Sequence, residues 1–161
     1  MNDDREAEWK LDQKWQNRIT GTACELCSLL EADTAVSSEG HKVADLRVSR
    51  WILGQNQYIR GYSILVLSSH AVELFELEKE VRSRFVDDIA DASQALQRVL
   101  SPIKINLEIQ GNVVPHLHCH IKPRFLGDRP GHARIFQNAG RIVLRDEDYR
   151  SMVSQLRNYI G

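Results

Sequence analysis

The sequence predicts a single domain of mixed helices and strands, and three observations carry that expectation. From Glu78 to Leu100 apolar residues recur at threes and fours between carboxylates and arginines, the pattern of one long helix with a buried stripe. Beyond Pro102, which ends that helix, Ile103 to Ile109 alternate with a period of two, as in a strand with one apolar and one polar face. At 161 residues the chain is long enough to bury one real core and short for two.

The remaining elements follow in chain order. Trp9, Leu11, Trp15 and Ile19 stand at roughly helical intervals among charges, so residues 4–18 are expected to form an amphipathic helix with Gly21 past its end. Thr20 to Gly40 holds Cys24-Glu25-Leu26-Cys27 and then Ser37-Ser38-Glu39-Gly40, a turn-rich segment that reads as a knuckle followed by a loop or short hairpin. Val43 to Leu53 and Tyr62 to Leu67 are β-branched and apolar and read as strands. After the loop Gln110-Gly111-Asn112 a further strand is expected at about residues 116–122. Asp146 to Ile160 closes the chain as a helix with Tyr149, Met152, Val153, Leu156 and Ile160 on one side. Trp51, Phe75, Leu77 and Phe85 are expected in the core, while Tyr58 could line a base pocket.

Composition narrows the function classes. An apolar fraction of 42% and a charged fraction of 27% are those of a globular protein. The formal net charge of -1 gives no bulk attraction to nucleic acid or an anionic membrane, so neither is expected as a partner. Any anionic ligand has to be held by local geometry. No apolar run approaches the ~18 residues of a bilayer span, and Met1 to Glu6 is charged where a signal peptide needs apolar residues, so a cytoplasmic location is expected. Three cysteines, Cys24, Cys27 and Cys119, argue for reduced thiols or a metal site over a disulfide framework.

The run His116-Leu117-His118-Cys119-His120 carries the chemistry. In a strand, successive side chains point to opposite faces, so the three imidazoles line one face about 6.6 Å apart while Leu117, Cys119 and Ile121 line the other. Such a row suits either a three-imidazole metal site or catalysis on a phosphate. Gly111-Asn112 just before it favours the phosphate, because a glycine-containing turn can aim backbone N–H groups at an anion. A neutral imidazole is a competent nucleophile toward phosphorus at pH 7, needing only the correct tautomer.

The stretch from Asn106 to Arg124, with Gly111-Asn112-Val113-Val114-Pro115-His116-Leu117-His118-Cys119-His120, resembles the signature of the histidine triad (HIT) superfamily. It is most similar to the bacterial members called diadenosine tetraphosphate hydrolase-like. Weaker similarity runs back through Arg60-Gly61-Tyr62 to Ser68-Ser69-His70 and forward to Asp128, so roughly residues 24–128 are covered. The resemblance implies an α+β, HIT-like fold with a central antiparallel sheet, one long helix and a C-terminal helix, assembled as a homodimer that binds a nucleotide across the sheet. Residues 1–20 would then be a helical extension, 21–128 the core of the domain, and 129–161 a segment and helix completing it.

By position in the motif, His118 is the implied nucleophile, attacking the α-phosphorus of a phosphoanhydride or phosphoramidate to give a nucleotidyl-histidine that water cleaves. His120 is the implied phosphate-side partner that assists the leaving group, and His116 supports the nucleophile's surroundings. Asn106, Gly111 and Asn112 would surround the phosphates, with Lys122 on the same face. Three departures from the family pattern stand out: Lys122 occupies the motif's last apolar position, Tyr62 stands where many members have histidine, and no acidic residue to grip a ribose is evident in Gly54-Gln55-Asn56-Gln57. The first and the last leave open a nucleotide-binding sensor or partner-binding module with negligible turnover. The pair Cys24-x-x-Cys27 supplies two ligands where a structural zinc wants four. Some HIT branches complete that site with the histidine after the central strand and the first of the triad, which here are His70 and His116. His41 competes on spacing alone.

Overall fold

The structure, a computed structural model, describes residues 13–128 and 140–160. Its helices are α1 (Gln13–Ile19), α2 (Glu25–Ala32), α3 (Lys79–Leu100) and α4 (Asp146–Arg157), and its strands β1 (Gly40–Asp45), β2 (Ser49–Gly54), β3 (Ser63–Leu67), β4 (Lys104–Ile109) and β5 (His118–Arg124). The strands form one sheet in the order β1-β2-β3-β5-β4 with every neighbouring pair antiparallel. This is the expected α+β architecture, and it puts β4 at an edge and the histidine strand β5 in the interior.

Period-two alternation sorts the strand residues into two layers. Trp51, Leu53, Leu65, Leu67, Cys119 and Ile121 face α3 and α4, where they join Phe85, Ile89, Leu96, Tyr149 and Leu156 in the main core. Burying each large side chain of this kind contributes roughly 1.5–3 kcal/mol. Ile52, Ile64 and Val66 point the other way and meet Cys24 and Leu26 of the α2 region in a smaller cluster. His118 and His120 share this second face, because Cys119 between them is committed to the first.

The long helix begins at Lys79 and ends where Ser101 turns into the left-handed region, φ 50°, donating its N–H to Gln97 O just before Pro102. Tyr149, Val153 and Leu156 are the buried side of α4, as their spacing requires.

Four expectations need correction or completion. Glu25–Ala32 is a helix where turns and a loop were expected, with Cys24 as its N-cap. Val43 to Leu53 is two strands separated by a tight turn. Asp88 on α3 accepts hydrogen bonds from Arg47 N, Val48 N and Ser49 Oγ at 3.2, 3.0 and 2.8 Å, replacing the glycine or proline that usually marks such a turn. Phe75 is 79% exposed: it lies in a single 3₁₀ turn, Leu74–Glu76, whose three-residue repeat puts Leu74 and Leu77 against the core and Phe75 away from it. The N-terminal helix is seen over Gln13–Ile19, while Trp9, Leu11 and His132 lie outside the described residues.

Candidate active site and metal-ligand cluster

The histidine run divides at His116. His118 and His120 line a cavity of about 280 Å³ together with Tyr62, Asn112, Glu25 and Glu39. His118 Nδ1 lies 2.6 Å from the carbonyl oxygen of His116. A carbonyl can only accept, so Nδ1 carries the proton and Nε2 is left with its lone pair. His120 Nε2 stands 3.2 Å from that nitrogen, the two rings edge to face at 4.8 Å between centroids. On its far side His120 Nδ1 is 2.8 Å from Tyr62 Oη. Burial, then the neighbouring His118 and Lys122, push the His120 imidazole down to about 4, so it is neutral at physiological pH.

The ring of His116 lies outside this cavity and belongs to a second cluster. Cys24, Cys27, His70 and His116 each offer one ligand atom, all within 4.8 Å of one another. Sγ of Cys24 is 3.4 Å from His116 Nδ1, and Sγ of Cys27 is 3.3 Å from His70 Nδ1 and 3.5 Å from His116 Nδ1. Sulfur and nitrogen ligands of one tetrahedral zinc, bonded at roughly 2.3 and 2.0 Å, stand about 3.5 Å apart, so the donor set fits that ion. The remaining ring nitrogens agree: His70 Nε2 donates to Ile19 O and His116 Nε2 to Leu67 O, each at 2.8 Å, which leaves both Nδ1 lone pairs aimed at the sulfurs. Two thiolates and two neutral imidazoles would hold the metal in a closed site that supplies rigidity and no open coordination position for chemistry.

Local sequence explains how the cluster is built. Cys24 and Cys27 are the N-cap and third residue of α2, so both sulfurs project from the helix start, and Sγ of Cys24 accepts the N–H of Cys27. Burial and the adjacent Cys24 push the Cys27 thiol up to about 11, so that thiol is protonated until a cation displaces the proton. Gly21, at φ 80°, lets the chain turn beneath the His70 ring, where a Cβ would stand 3.2 Å from Cδ2. His41 does not compete: it stacks on Tyr149 at 4.1 Å beside a separate cavity of about 540 Å³ against α4.

Of the other expected residues, Asn112 reaches the cavity. Gly111 lies outside its lining and keeps φ out of the left-handed region, so the turn lacks the alternating backbone of an anion nest. Asn106 and Lys122 are paired across β4 and β5, one step beyond Glu108 and His120. Lys122 is buried, and its Nζ lies 2.6 Å from Glu108 Oε2. Sequence reasoning passed over Glu25, Glu39 and Gln110 as cavity residues. Glu25 is ion-paired to Arg18, and Glu39 lies where this cavity meets an adjoining one of about 210 Å³ lined by Gln55, Asn56 and Arg141. Only the antiparallel pairing of β3 with β5 could have pointed to Tyr62, since it shares the face of Ile64, the register partner of His120.

Fold and site together define an α+β protein with a histidine row on one sheet face and a two-cysteine, two-histidine cluster behind it. The HIT domain matches residues 39–127, more than half of the chain, and the chain belongs to the HIT domain family. No curated protein matches it. Among solved structures, a histidine triad protein from Bradyrhizobium japonicum is 24% identical, with 86% of this chain and 99% of that one covered at a TM-score of 0.72. A histidine triad nucleotide-binding protein from Sulfolobus tokodaii, described as hypothetical, is 22% identical over 85% and 91% at 0.65. A zinc-bound histidine triad family protein from Mycobacterium smegmatis is 21% identical over 86% and 94% at 0.63.

Proposed function

We propose that the protein is a nucleotide hydrolase or nucleotidyl transferase that cleaves a phosphoanhydride or phosphoramidate at the α-phosphorus, with a dinucleoside polyphosphate-like substrate in keeping with its resemblance to diadenosine tetraphosphate hydrolase-like proteins. The observation that carries this reading is the unprotonated Nε2 of His118, fixed by the 2.6 Å hydrogen bond from Nδ1 to His116 O on a ring that lines the cavity. In the first step Nε2 forms a bond to phosphorus while the bond from phosphorus to the leaving atom breaks, the electron pair departing with that atom. The nucleotidyl-imidazole then carries a positive charge, which the His116 carbonyl dipole offsets through Nδ1–H. Water next bonds to phosphorus, gives up a proton to solvent, and the N–P bond breaks to return neutral His118.

The cavity and its neighbour meet at Glu39, Tyr62 and Ile64, and together they fall in the range of about 300–1,000 Å³ of small-ligand clefts. With phosphate at the histidines, Glu39 stands toward the sugar and accepts hydrogen bonds from its hydroxyls. The relatives' names, nucleotide-binding in one case and zinc-bound in another, agree with a nucleotide ligand and with zinc on Cys24, Cys27, His70 and His116.

We also propose a homodimer built along β4. Leu107 and Ile109 are about half exposed on this edge strand, and Ile103 and Val113 beside it more so. An edge strand with apolar side chains is a template for a second copy. In light-scattering chromatography a Leu107→Lys, Ile109→Lys variant is expected at half the native mass, and equal masses would sink the dimer.

The test of the function is mass spectrometry after brief mixing with dinucleoside polyphosphates and nucleoside phosphoramidates. A nucleotidyl adduct on His118, absent from His118→Ala, is the expected result. Turnover by His118→Ala at the native rate would overturn the reading.

A further inference from the structure

Tyr62 is built into the site. Its ring, 8% exposed, lies over Gly54, where a Cβ would come within 2.4 Å of Tyr62 Cδ1, so only glycine lets the ring seat there. Seated this way, the ring runs nearly parallel to that of His120, at 14° and 6.0 Å between centroids, and brings Oη to 2.8 Å from Nδ1.

The direction of that hydrogen bond follows from its neighbours. His118 Nε2 is bare, because His118 Nδ1–H is committed to the His116 carbonyl. If His120 carried its proton on Nδ1 and donated to Tyr62, two bare nitrogens would face each other at 3.2 Å. With the proton on Nε2, His120 donates to His118 Nε2, and its Nδ1 accepts from the Tyr62 hydroxyl, which satisfies every group in the chain.

We infer that Tyr62 is a positioning residue: its hydroxyl donates to Nδ1 of His120 and so holds His120 as the Nε2–H tautomer, ready to donate to the leaving atom once phosphorus occupies His118. The inference rests on the nucleotidyl-transfer reading for its catalytic use, and on geometry alone for the tautomer. Charge supports it. Burial, with Glu39 and Glu108 nearby, pushes the Tyr62 hydroxyl above its ordinary value, while burial with His118 and Lys122 holds His120 neutral, so both partners keep the protonation the arrangement needs. When the leaving atom is an oxygen, as in a phosphoanhydride or ester, it departs with its electron pair and His120 stabilises that charge by donating a hydrogen bond; a phosphoramidate nitrogen takes the Nε2 proton of His120 as it leaves, and His120 regains one from solvent.

The experiment compares the native chain with Tyr62→Phe, which keeps the ring and removes only the hydroxyl. Two-dimensional 15N–1H spectra of the histidine rings, with His120 assigned by its loss in His120→Gln, are expected to show the Nε2–H tautomer in the native chain and a tautomer mixture in Tyr62→Phe. On adenosine 5′-phosphoryl aryl esters, Tyr62→Phe is expected to lower kcat by about 10–100-fold for the phenyl ester, with KM within about twofold, and far less for the 4-nitrophenyl ester, whose leaving oxygen needs less stabilisation. A merely structural tyrosine would slow both esters alike. An Nδ1–H tautomer in the native protein, an unchanged tautomer in Tyr62→Phe, or equal slowing of the two esters would overturn the inference. Absence of turnover by the native chain would overturn the nucleotidyl-transfer reading and the catalytic use of Tyr62, while the spectra still decide the tautomer.

Discussion

His116 and His118 are two residues apart on one chain, yet their rings serve opposite ends of the molecule's chemistry. At the His116 end every ring nitrogen has a fixed partner: Nε2 a carbonyl, Nδ1 two sulfurs. At the His118 end one nitrogen is held by a carbonyl, and the other, on a ring lining the cavity, has His120 as its one hydrogen-bond neighbour among the described residues. A closed set of donors gives rigidity, whereas an open lone pair gives reactivity. His116 joins the two, since its ring serves the cluster while its carbonyl orients the His118 ring.

The sharpest way to break this comparison is to remove each end separately. His118→Ala is expected to lower kcat at least about 1,000-fold, read by chromatography of nucleotide products, while leaving bound zinc and Tm essentially unchanged. The Cys24→Ala, Cys27→Ala variant is expected to lose zinc by elemental mass spectrometry. Its Tm should fall by roughly 10 °C, several kcal/mol for a chain of this size, because the buried His116 and the half-buried His70 are left without their ligand field. If the cysteine variant kept the metal and His118→Ala lost it, the assignment of the two ends would be reversed.

A smaller effect sharpens the boundary between site and sheet. Strand alternation puts Lys122 on the face of the histidines, where it is expected either near the phosphates or in solvent, but its ammonium is bonded to Glu108. Glu108→Gln removes the carboxylate charge while keeping the shape of the side chain. A KM lower by about three- to tenfold in steady-state assays is expected as the positive charge of Lys122 is no longer offset by Glu108 beside the bound phosphates. An unchanged KM would leave Lys122 outside the site altogether.

The legibility of these features in sequence tracks how local their causes are. The histidine row could be read because a period of two is a property of one strand, and Cys119 in the core follows from the same rule. The cysteine pair was visible as a pair, but its place on a helix was hidden, since the turn-forming residues around it outweigh eight residues of modest helical pattern. Two of the four ligands lie 43 and 89 residues from Cys27, distances that spacing rules do not span and that the family resemblance alone supplied. The β1–β2 turn was invisible because its cap, Asp88, comes from α3, some forty residues later. Tyr62 stood out only as a departure from a motif; its partner becomes apparent when β3 is laid beside β5.

The smallest expected effect lies in the pH dependence of stability at the open end. His120 is held neutral in the folded protein until about pH 4 by burial, His118 and Lys122, whereas in the unfolded chain an ordinary imidazole titrates near 6.5. Between those values the unfolded state carries the extra proton, so stability is full above about pH 6.5 and falls as the pH drops toward 4. One proton accounts for a slope of at most about 1.4 kcal/mol per pH unit. His120→Gln removes this titration and should flatten the slope by up to that amount in denaturant unfolding at pH 7, 6 and 5, while the other buried histidines contribute equally to both proteins and cancel. Parallel slopes would mean that His120 titrates normally in the folded state. Below about pH 6.5 the protein would then meet substrate with a charged imidazole donating from both nitrogens, and there Nδ1 could no longer accept from Tyr62.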